Sequence, residues 1–370
     1  MGSCRRAGVK GDFEGDLSPN EFCGLAHVMS TVTPARLRTV VIAAVGAAVF
    51  VLLGLPLPLL LGPMLGCLVA ALIGVPLQGT GKLGIAMRTL LGVAIGASIT
   101  PELVRELPGY APTLAMIPVF ILVIGGIGYP FFRKVMKFDH PTAFYSAMPG
   151  GLQDMLIFGE EAGGDVRAMS LIHATRVLVI VTVAPFLLTF WYDLDLTAAP
   201  GARATDLPLV QIALMVASGL VGWKIAERIN LFGASIIGPM VLTAALSLGG
   251  VIQYRPPAEL IWAAQFFIGL GVGANYTGIT AREIRVDVGA GLAFAVLLAA
   301  ISLAFIEAVL WITGAPALDV MLSFLPGGQG EMVVVALVSG ADLAFVITHH
   351  LTRVACVVTM APLAARLLNR

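Results

Sequence analysis

Two stretches of this chain carry the same motif, PGGLQDM at residues 149–155 and PGGQGEM at residues 326–332. Proline and glycine interrupt a helix, and both copies place a carboxylate three residues after the second glycine. The second copy begins 177 residues after the first, and the register continues without a gap. It pairs Asp165 with Asp342, His173 with His350, Thr175 with Thr352, Arg176 with Arg353 and Pro185 with Pro362. The chain is therefore predicted to be two copies of one unit.

The composition around these motifs is that of an integral membrane protein. Hydrophobic residues make up 58% of the 370 residues, charged residues make up 12%, and the mean hydropathy is +0.95. Soluble globular chains carry about 25% charged residues. The formal net charge is zero and no basic tail is present, which argues against direct nucleic-acid binding. The four cysteines are scattered, so neither a disulfide framework nor a CxxC metal site is predicted.

Ten apolar runs are typical of transmembrane helices, which need about 20 residues to cross a bilayer. They lie near residues 39–54, 57–76, 83–100, 110–132, 168–191, 208–226, 232–252, 260–278, 288–312 and 343–365. Two further apolar segments, 145–164 and 322–341, contain the Pro-Gly-Gly motifs. These two are predicted to be re-entrant, entering the membrane and returning to the same side.

The distribution of Lys and Arg favours re-entrant segments over two additional crossings, because cytoplasmic loops carry the excess of positive charge. With ten crossings and both termini cytoplasmic, the only loop cations outside are Arg105, Arg203 and Arg255. Two additional crossings would move Lys224 and Arg228, among others, to the outside. Each unit then holds five crossings, and this odd number inverts the second unit relative to the first.

The predicted organisation has four parts. Residues 1–38 form a polar extension that is expected to be disordered, residues 39–192 the first membrane repeat, residues 193–207 a linker and residues 208–368 the second repeat. The extension lacks the apolar core of a secretory signal. Met29 opens the sequence MSTVTPARLR just before the first span, so we hypothesise that residues 1–28 come from an over-long start. Detection of peptides from that stretch by mass spectrometry would refute this.

The Pro-Gly-Gly motifs offer two alternative roles at the start of a short helix. The free backbone N–H groups of a helix N-terminus form a positive end that attracts an anion. Asp154 and Glu331 are placed where a carboxylate can cap that same end. Capping and substrate or ion binding both remain open at this stage.

Ionisable residues in the following spans are a second candidate feature, because charge inside a membrane is costly. His173 and Arg176 are three residues apart, as are His350 and Arg353, so each pair shares a helix face. The arginines either pair with carboxylates, contact substrate directly or extend to the membrane interface. The carboxylates available for pairing are Asp154, Asp165, Glu331 and Asp342.

The predicted substrate- or ion-binding residues come from these motifs, with one addition. Asn275 follows GLGVG at residues 269–273, where its side chain either binds substrate or supports close helix packing. The full set is Pro149, Gly150, Gly151, Asp154, His173, Arg176, Asn275, Pro326, Gly327, Gly328, Glu331, His350 and Arg353. The five histidines have no neighbouring carboxylate or cysteine spacing of a zinc or copper site, so no catalytic residue, metal or cofactor is predicted.

The doubled pattern resembles the bacterial AbrB-duplication membrane family. The resemblance covers roughly residues 39–368 and rests on GPM after a short apolar run, G-x-x-x-G-A at 92–97, FYSAMPGGLQDM at 144–155 and HATRV at 173–177. It implies a multi-pass protein of the bacterial cytoplasmic (inner) membrane. Members of this family carry the labels transcriptional regulator and ammonia monooxygenase. The sequence has neither the metal-ligand set that the second activity needs nor the soluble basic module of a DNA-binding protein.

The function predicted from these features is a secondary transporter or permease for a small anionic solute. Inverted repeats with discontinuous segments at mid-membrane are typical of secondary transporters. One alternative is a membrane-embedded sensor that regulates gene expression through a partner, and a less favoured one is a membrane monooxygenase. The expected partners are the lipid bilayer and a small-molecule or ion substrate, without nucleic acid, and a homo-oligomer is left open.

Overall fold

The computed structural model describes residues 33–150, 152–197, 201–229, 231, 234–327 and 329–368, and all regular structure within them is helical. The first half contains α1 (Pro34–Leu52), α2 (Pro58–Leu72), α3 (Lys82–Gly96), α4 (Pro101–Glu106), α5 (Ala111–Pro130), α6 (His140–Ala147), α7 (Leu152–Glu161) and α8 (Val166–Tyr192). The second half contains α9 (Leu209–Arg228), α10 (Ala234–Leu248), α11 (Ala258–Ala274), α12 (Ala281–Glu283), α13 (Gly289–Thr313), α14 (Ala317–Phe324), α15 (Gln329–Ser339) and α16 (Leu343–Leu368). Each helix of the second half corresponds to the helix numbered eight lower in the first.

The apolar runs of the sequence all fold as helices. In the described part of the chain, six helical stretches are long and apolar enough to cross a membrane. They are Pro34–Leu52, Pro108–Val135, Val166–Tyr192, Leu209–Arg228, Ala281–Thr313 and Leu343–Ala361. The helices α2, α3, α10 and α11 are also apolar but have only 15 to 17 residues. The chain is thus a helical membrane protein, and the count of ten crossings stays a prediction.

The first helix begins at Pro34, ahead of the predicted start of the first span. The Thr33 side chain accepts a hydrogen bond from the Arg36 N–H at 3.2 Å, and proline suits the first helical position because it has no N–H to leave unsatisfied. These local signals extend the helix into the polar sequence. The predicted disorder of residues 1–38 is therefore wrong for residues 34–38, which are helical, and residues 1–32 lie outside the described part of the chain.

Helices α1–α3 and α9–α11 pack together and are called here the glycine group. Within it α2 packs along α1 and α11, while α10 packs along α9 and α3, so the two halves of the chain interlock. Gly96 on α3 faces the Met240 carbonyl of α10, and Gly273 on α11 faces the Met64 carbonyl of α2. A side chain at either glycine would overlap the opposing backbone. The glycine spacing therefore serves close helix packing, one of the two alternatives that the sequence left open for the GLGVG segment.

Helices α5–α8 and α13–α16 pack together and are called here the arginine group. The long helix α8 packs along α13, and α16 packs against α5, so this group also combines both halves of the chain. The short helices α6 and α7 lie against α8, and α14 and α15 lie against α16. The group contains the two Pro-Gly-Gly motifs and the two long helices with buried arginines.

Equivalent hydrogen bonds join equivalent residues in the two halves of the arginine group. The N–H of Asp165 donates to the Thr142 hydroxyl at 2.8 Å, and the N–H of Asp342 donates to the Asp319 carboxylate at 2.8 Å. The Asp165 and Asp342 carboxylates each accept two backbone N–H groups at the start of the helix that follows. Both residues are therefore helix caps, and the expectation that they act as counter-ions of the buried arginines is not met.

Candidate functional site

Both Pro-Gly-Gly motifs lie at breaks between short helices. Helix α6 ends at Ala147 and α7 begins at Leu152, while α14 ends at Phe324 and α15 begins at Gln329. The residues before the prolines, Met148 and Leu325, are extended, with ψ of 133° and 124°. A residue that precedes proline avoids the helical conformation because it would clash with the proline ring. The sequence therefore fixes the position of both breaks.

A buried arginine holds each break in place. Arg176 and Arg353 are 3% and 4% exposed. An Nη1–H of Arg176 donates to the Met148 carbonyl at 3.1 Å, and an Nη1–H of Arg353 donates to the Leu325 carbonyl at 3.3 Å. Each guanidinium is thus fixed beside the last carbonyl before the proline. Their burial contradicts the alternative in which these side chains extend to the membrane interface.

A buried histidine supports each arginine, but the two halves differ in detail. The Nε2–H groups of His173 and His350 donate to the carbonyls of Tyr145 and Leu322 at 3.1 and 3.0 Å. Since a carbonyl can only accept, Nε2 carries the proton and Nδ1 is an acceptor. In the second half Nδ1 of His350 accepts from Arg353 at 2.7 Å, whereas Nδ1 of His173 has no hydrogen-bond partner.

Each break packs against the arginine-bearing helix of the other half of the chain. A side chain on Gly150 would lie 2.9 Å from Val357, one helical turn after Arg353. A side chain on Gly327 would lie 3.5 Å from Ile180, one turn after Arg176. Each break is therefore anchored by the arginine of its own half and packed beside the arginine of the other half. Residues 148–150, 325–327, His173, Arg176, His350 and Arg353 are called here the central cluster.

The positive charge of the central cluster is not balanced by a described carboxylate. Arg176 and Arg353 lie close enough for their charges to interact, and the Nε atom of each has no hydrogen-bond partner. The ion pair between Arg167 and Glu283, at 2.7 Å, lies at the surface and involves neither of them. The charge that acts on Glu331 is that of Arg88 on α3. In the described part of the chain both buried guanidiniums are without an anionic partner.

Comparison with known proteins identifies the family of the chain. A family model described as "Transition state regulatory protein AbrB" matches residues 59–369. The chain belongs to the AbrB family. A Bacillus subtilis relative, "Uncharacterized protein YhjN", is 26% identical over an alignment of 299 residues, and the match covers 76% of this chain and 77% of the relative. An Escherichia coli relative, "Putative regulator AbrB", is 25% identical over 327 residues, covering 86% of this chain and 92% of the relative.

The remaining predicted residues of this AbrB-family chain fall into two classes. Gly151, Gly328 and the Asp154 side chain lie outside the described residues. Asn275 is exposed at the end of α11, and its role in binding stays a prediction. Where the structure is described, no three His, Cys, Asp or Glu side chains come together in a way that could hold a metal ion.

The sequence did not identify Tyr276 as a residue of this region. Tyr276, beside Asn275, is buried, and its hydroxyl donates to Thr175 at 3.0 Å, next to Arg176. This bond joins the glycine group to the arginine group. The sequence signal that could have identified it is a tyrosine shortly after a glycine run typical of close helix packing. Such a tyrosine is expected to be buried, and buried tyrosines usually have a hydrogen-bond partner.

Proposed function

We propose that this AbrB-family protein is a secondary transporter of a small anionic solute in the bacterial cytoplasmic membrane. The observation that carries the proposal is the pair of buried arginines at equivalent helix breaks, without a described counter-ion. A buried charge that lacks a partner is costly, so a protein retains it where a ligand supplies the opposite charge. No enzymatic activity is proposed, and stoichiometric copper or iron in the purified protein would argue for the monooxygenase alternative.

The helix starts at the central cluster provide a second source of positive potential. Helices α7 and α15 begin within a few residues of the carbonyls that hold Arg176 and Arg353. The first N–H groups of a helix have no partner within it and favour a bound anion. Discontinuous helices whose N-termini face an anionic substrate are typical of secondary transporters.

The proposed topology has ten crossings in two inverted repeats, two re-entrant Pro-Gly-Gly segments and both termini in the cytoplasm. The equivalent hydrogen bonds of the two halves support the duplication, and the loop charges support the orientation. The short helices α2, α3, α10 and α11 cross where the membrane is locally thinner, which is an ordinary response to a short apolar stretch.

The proposed mechanism is a relative movement of the two helix groups. Close contacts at its glycines pack the helices of the glycine group tightly together, and we propose that this group moves as one body. The arginine group meets it where α15 packs on α3 and α11, and through the Tyr276 hydrogen bond to Thr175. A rocking movement at this boundary would open the central cluster to one side of the membrane and then to the other. Asp154 and Glu331 are available for proton or sodium coupling.

The test is transport of anions by purified protein in liposomes. Acetate, glutamate, succinate, phosphate and sulfate form the panel, and the variants are Arg353→Gln and, as a control, Arg203→Gln in the exposed linker. We expect uptake of at least one anion by the native chain and by Arg203→Gln, and its loss in Arg353→Gln. An absence of uptake across the panel would overturn the proposal.

The names of the family model and of the Escherichia coli relative favour a second candidate, a membrane sensor that regulates gene expression through a partner. In this alternative the central cluster binds an anion without moving it across the membrane. Saturable binding of an anion in detergent, together with no uptake into liposomes, would favour the sensor over the transporter.

A further inference from the structure

We infer that the solute held by the central cluster is a dianion, a species with two negative charges that binds Arg176 and Arg353 together. The inference rests on the proposed function and narrows its substrate class. It covers dicarboxylates and tetrahedral dianions such as sulfate, because both present several acceptor oxygens to arginine.

The first argument is the balance of charge. Two guanidiniums are buried at 3% and 4% exposure, and neither has an ion pair among the residues that the structure describes. A monoanion would leave one of these charges uncompensated in a medium of low dielectric constant, where such a charge is costly. A dianion neutralises both. Two separate monoanions would repel each other at this short range.

The second argument is the geometry of the donors. Each guanidinium is fixed through Nη1 to a backbone carbonyl, so its position does not depend on the solute. The Nε–H groups of both arginines are buried without a partner. Charge-assisted hydrogen bonds from such groups to oxyanion oxygens are about twice as strong as neutral ones. The free donors therefore match a ligand that offers at least two charged oxygens.

The third argument is that one ligand can reach both arginines. Gly150 of the first break packs on Val357, one turn after Arg353, and Gly327 of the second break packs on Ile180, one turn after Arg176, so each break lies against the arginine-bearing helix of the other half. The starts of α7 and α15 follow within a few residues of the carbonyls that hold Arg176 and Arg353. We infer that a solute bound between these two helices contacts both guanidiniums and is favoured by the N-termini of α7 and α15.

The experiment compares anions of matched shape and different charge on the full chain in lipid nanodiscs. The pairs are succinate with succinamate and sulfate with methanesulfonate, and titration calorimetry gives each Kd. We expect at least one dianion to bind about tenfold more tightly than its monoanionic counterpart. The pair that shows the preference distinguishes a dicarboxylate from a tetrahedral dianion.

The variant arm assigns the preference to the arginines. In Arg353→Gln and in Arg176→Gln the dianion should bind no better than its matched monoanion, whereas Arg203→Gln should keep the native ratio. The comparison of native Kd values needs no variant, so it decides the question even where a buried substitution fails to fold.

The outcomes separate this inference from the function on which it rests. Equal affinity for dianions and monoanions, with anion uptake retained, overturns the inference that the solute is a dianion but not the proposal that the protein transports anions. A dianion preference that persists in both arginine variants also overturns the inference. An absence of anion binding together with an absence of uptake overturns both.

Discussion

Replacement of Gly273 by alanine should separate α11 from α2 and destabilise the glycine group. A Cβ atom built at this position lies 2.7 Å from the Cβ of Cys67 and 3.1 Å from the backbone nitrogen of Leu68, and it overlaps the Met64 carbonyl. Nonbonded carbon atoms prefer a separation of about 3.5–4.0 Å. The two helices would therefore have to move apart by about 1 Å, and the obstacle is backbone that cannot rotate away.

The size of the effect follows from two opposing contributions. Overpacking of a well-packed interior costs about 1–3 kcal/mol. Alanine is a better helix former than glycine by up to about 1 kcal/mol, which offsets part of that cost. We expect Gly273→Ala to lower the free energy of unfolding by about 1–2 kcal/mol.

Gly271 provides a matched control on the same helix, because a Cβ atom there meets nothing within 4 Å. Gly271→Ala gains the same helix propensity without the collision, so its stability should be unchanged or higher. The measurement is the Tm of both variants in detergent at one fixed scan rate, since unfolding of such proteins is often irreversible. A Tm of Gly273→Ala equal to or above that of Gly271→Ala would refute the close contact between α2 and α11.

Further predictions concern the topology and a buried hydrogen bond. Arg105 and Arg282 are exposed and occupy equivalent positions in the two halves. Single cysteines introduced there, in a chain without its native cysteines, should react with a membrane-impermeant reagent from opposite sides of the membrane. Labelling of both from the same side would exclude inverted repeats. Tyr110→Phe removes a 2.5 Å hydrogen bond to the Asp342 carboxylate and should lower the free energy of unfolding by about 1.5–3 kcal/mol. The control Tyr192→Phe, at an exposed site, should leave the stability unchanged. Equal Tm values for the two variants would contradict this prediction. Asp342→Ala also removes the cap of α16, so its Tm should fall below that of Tyr110→Phe, and the reverse order would show that the cap contributes no stability.

Sequence patterns that act over short distances predicted most of the helical architecture. The apolar runs predicted the spans because hydrophobic length is what a membrane selects. Pro149 and Pro326 predicted the helix breaks because proline restricts the residue before it. The match between the two motifs pointed to the duplication, and the AbrB family followed from the same residues.

The sequence could not predict which side chains meet across the halves of the chain. It offered Asp165 and Asp342 as counter-ions for the arginines, but both cap helices instead. It gave no sign that Tyr276 reaches Thr175, more than 100 positions earlier. The Tyr276 contact depends on the packing of α11 against α8, which joins segments that are distant along the chain.

What the sequence by itself determined was a helical membrane chain with two Pro-Gly-Gly breaks, because hydrophobicity and backbone stereochemistry act locally. Only the tertiary structure decided that each break packs on the arginine-bearing helix of the other half and that Arg176 and Arg353 are buried without a described anionic partner. The physical reason is that the environment of a buried charge is set by side chains contributed from several helices, and their packing is not encoded in the spacing along any one of them.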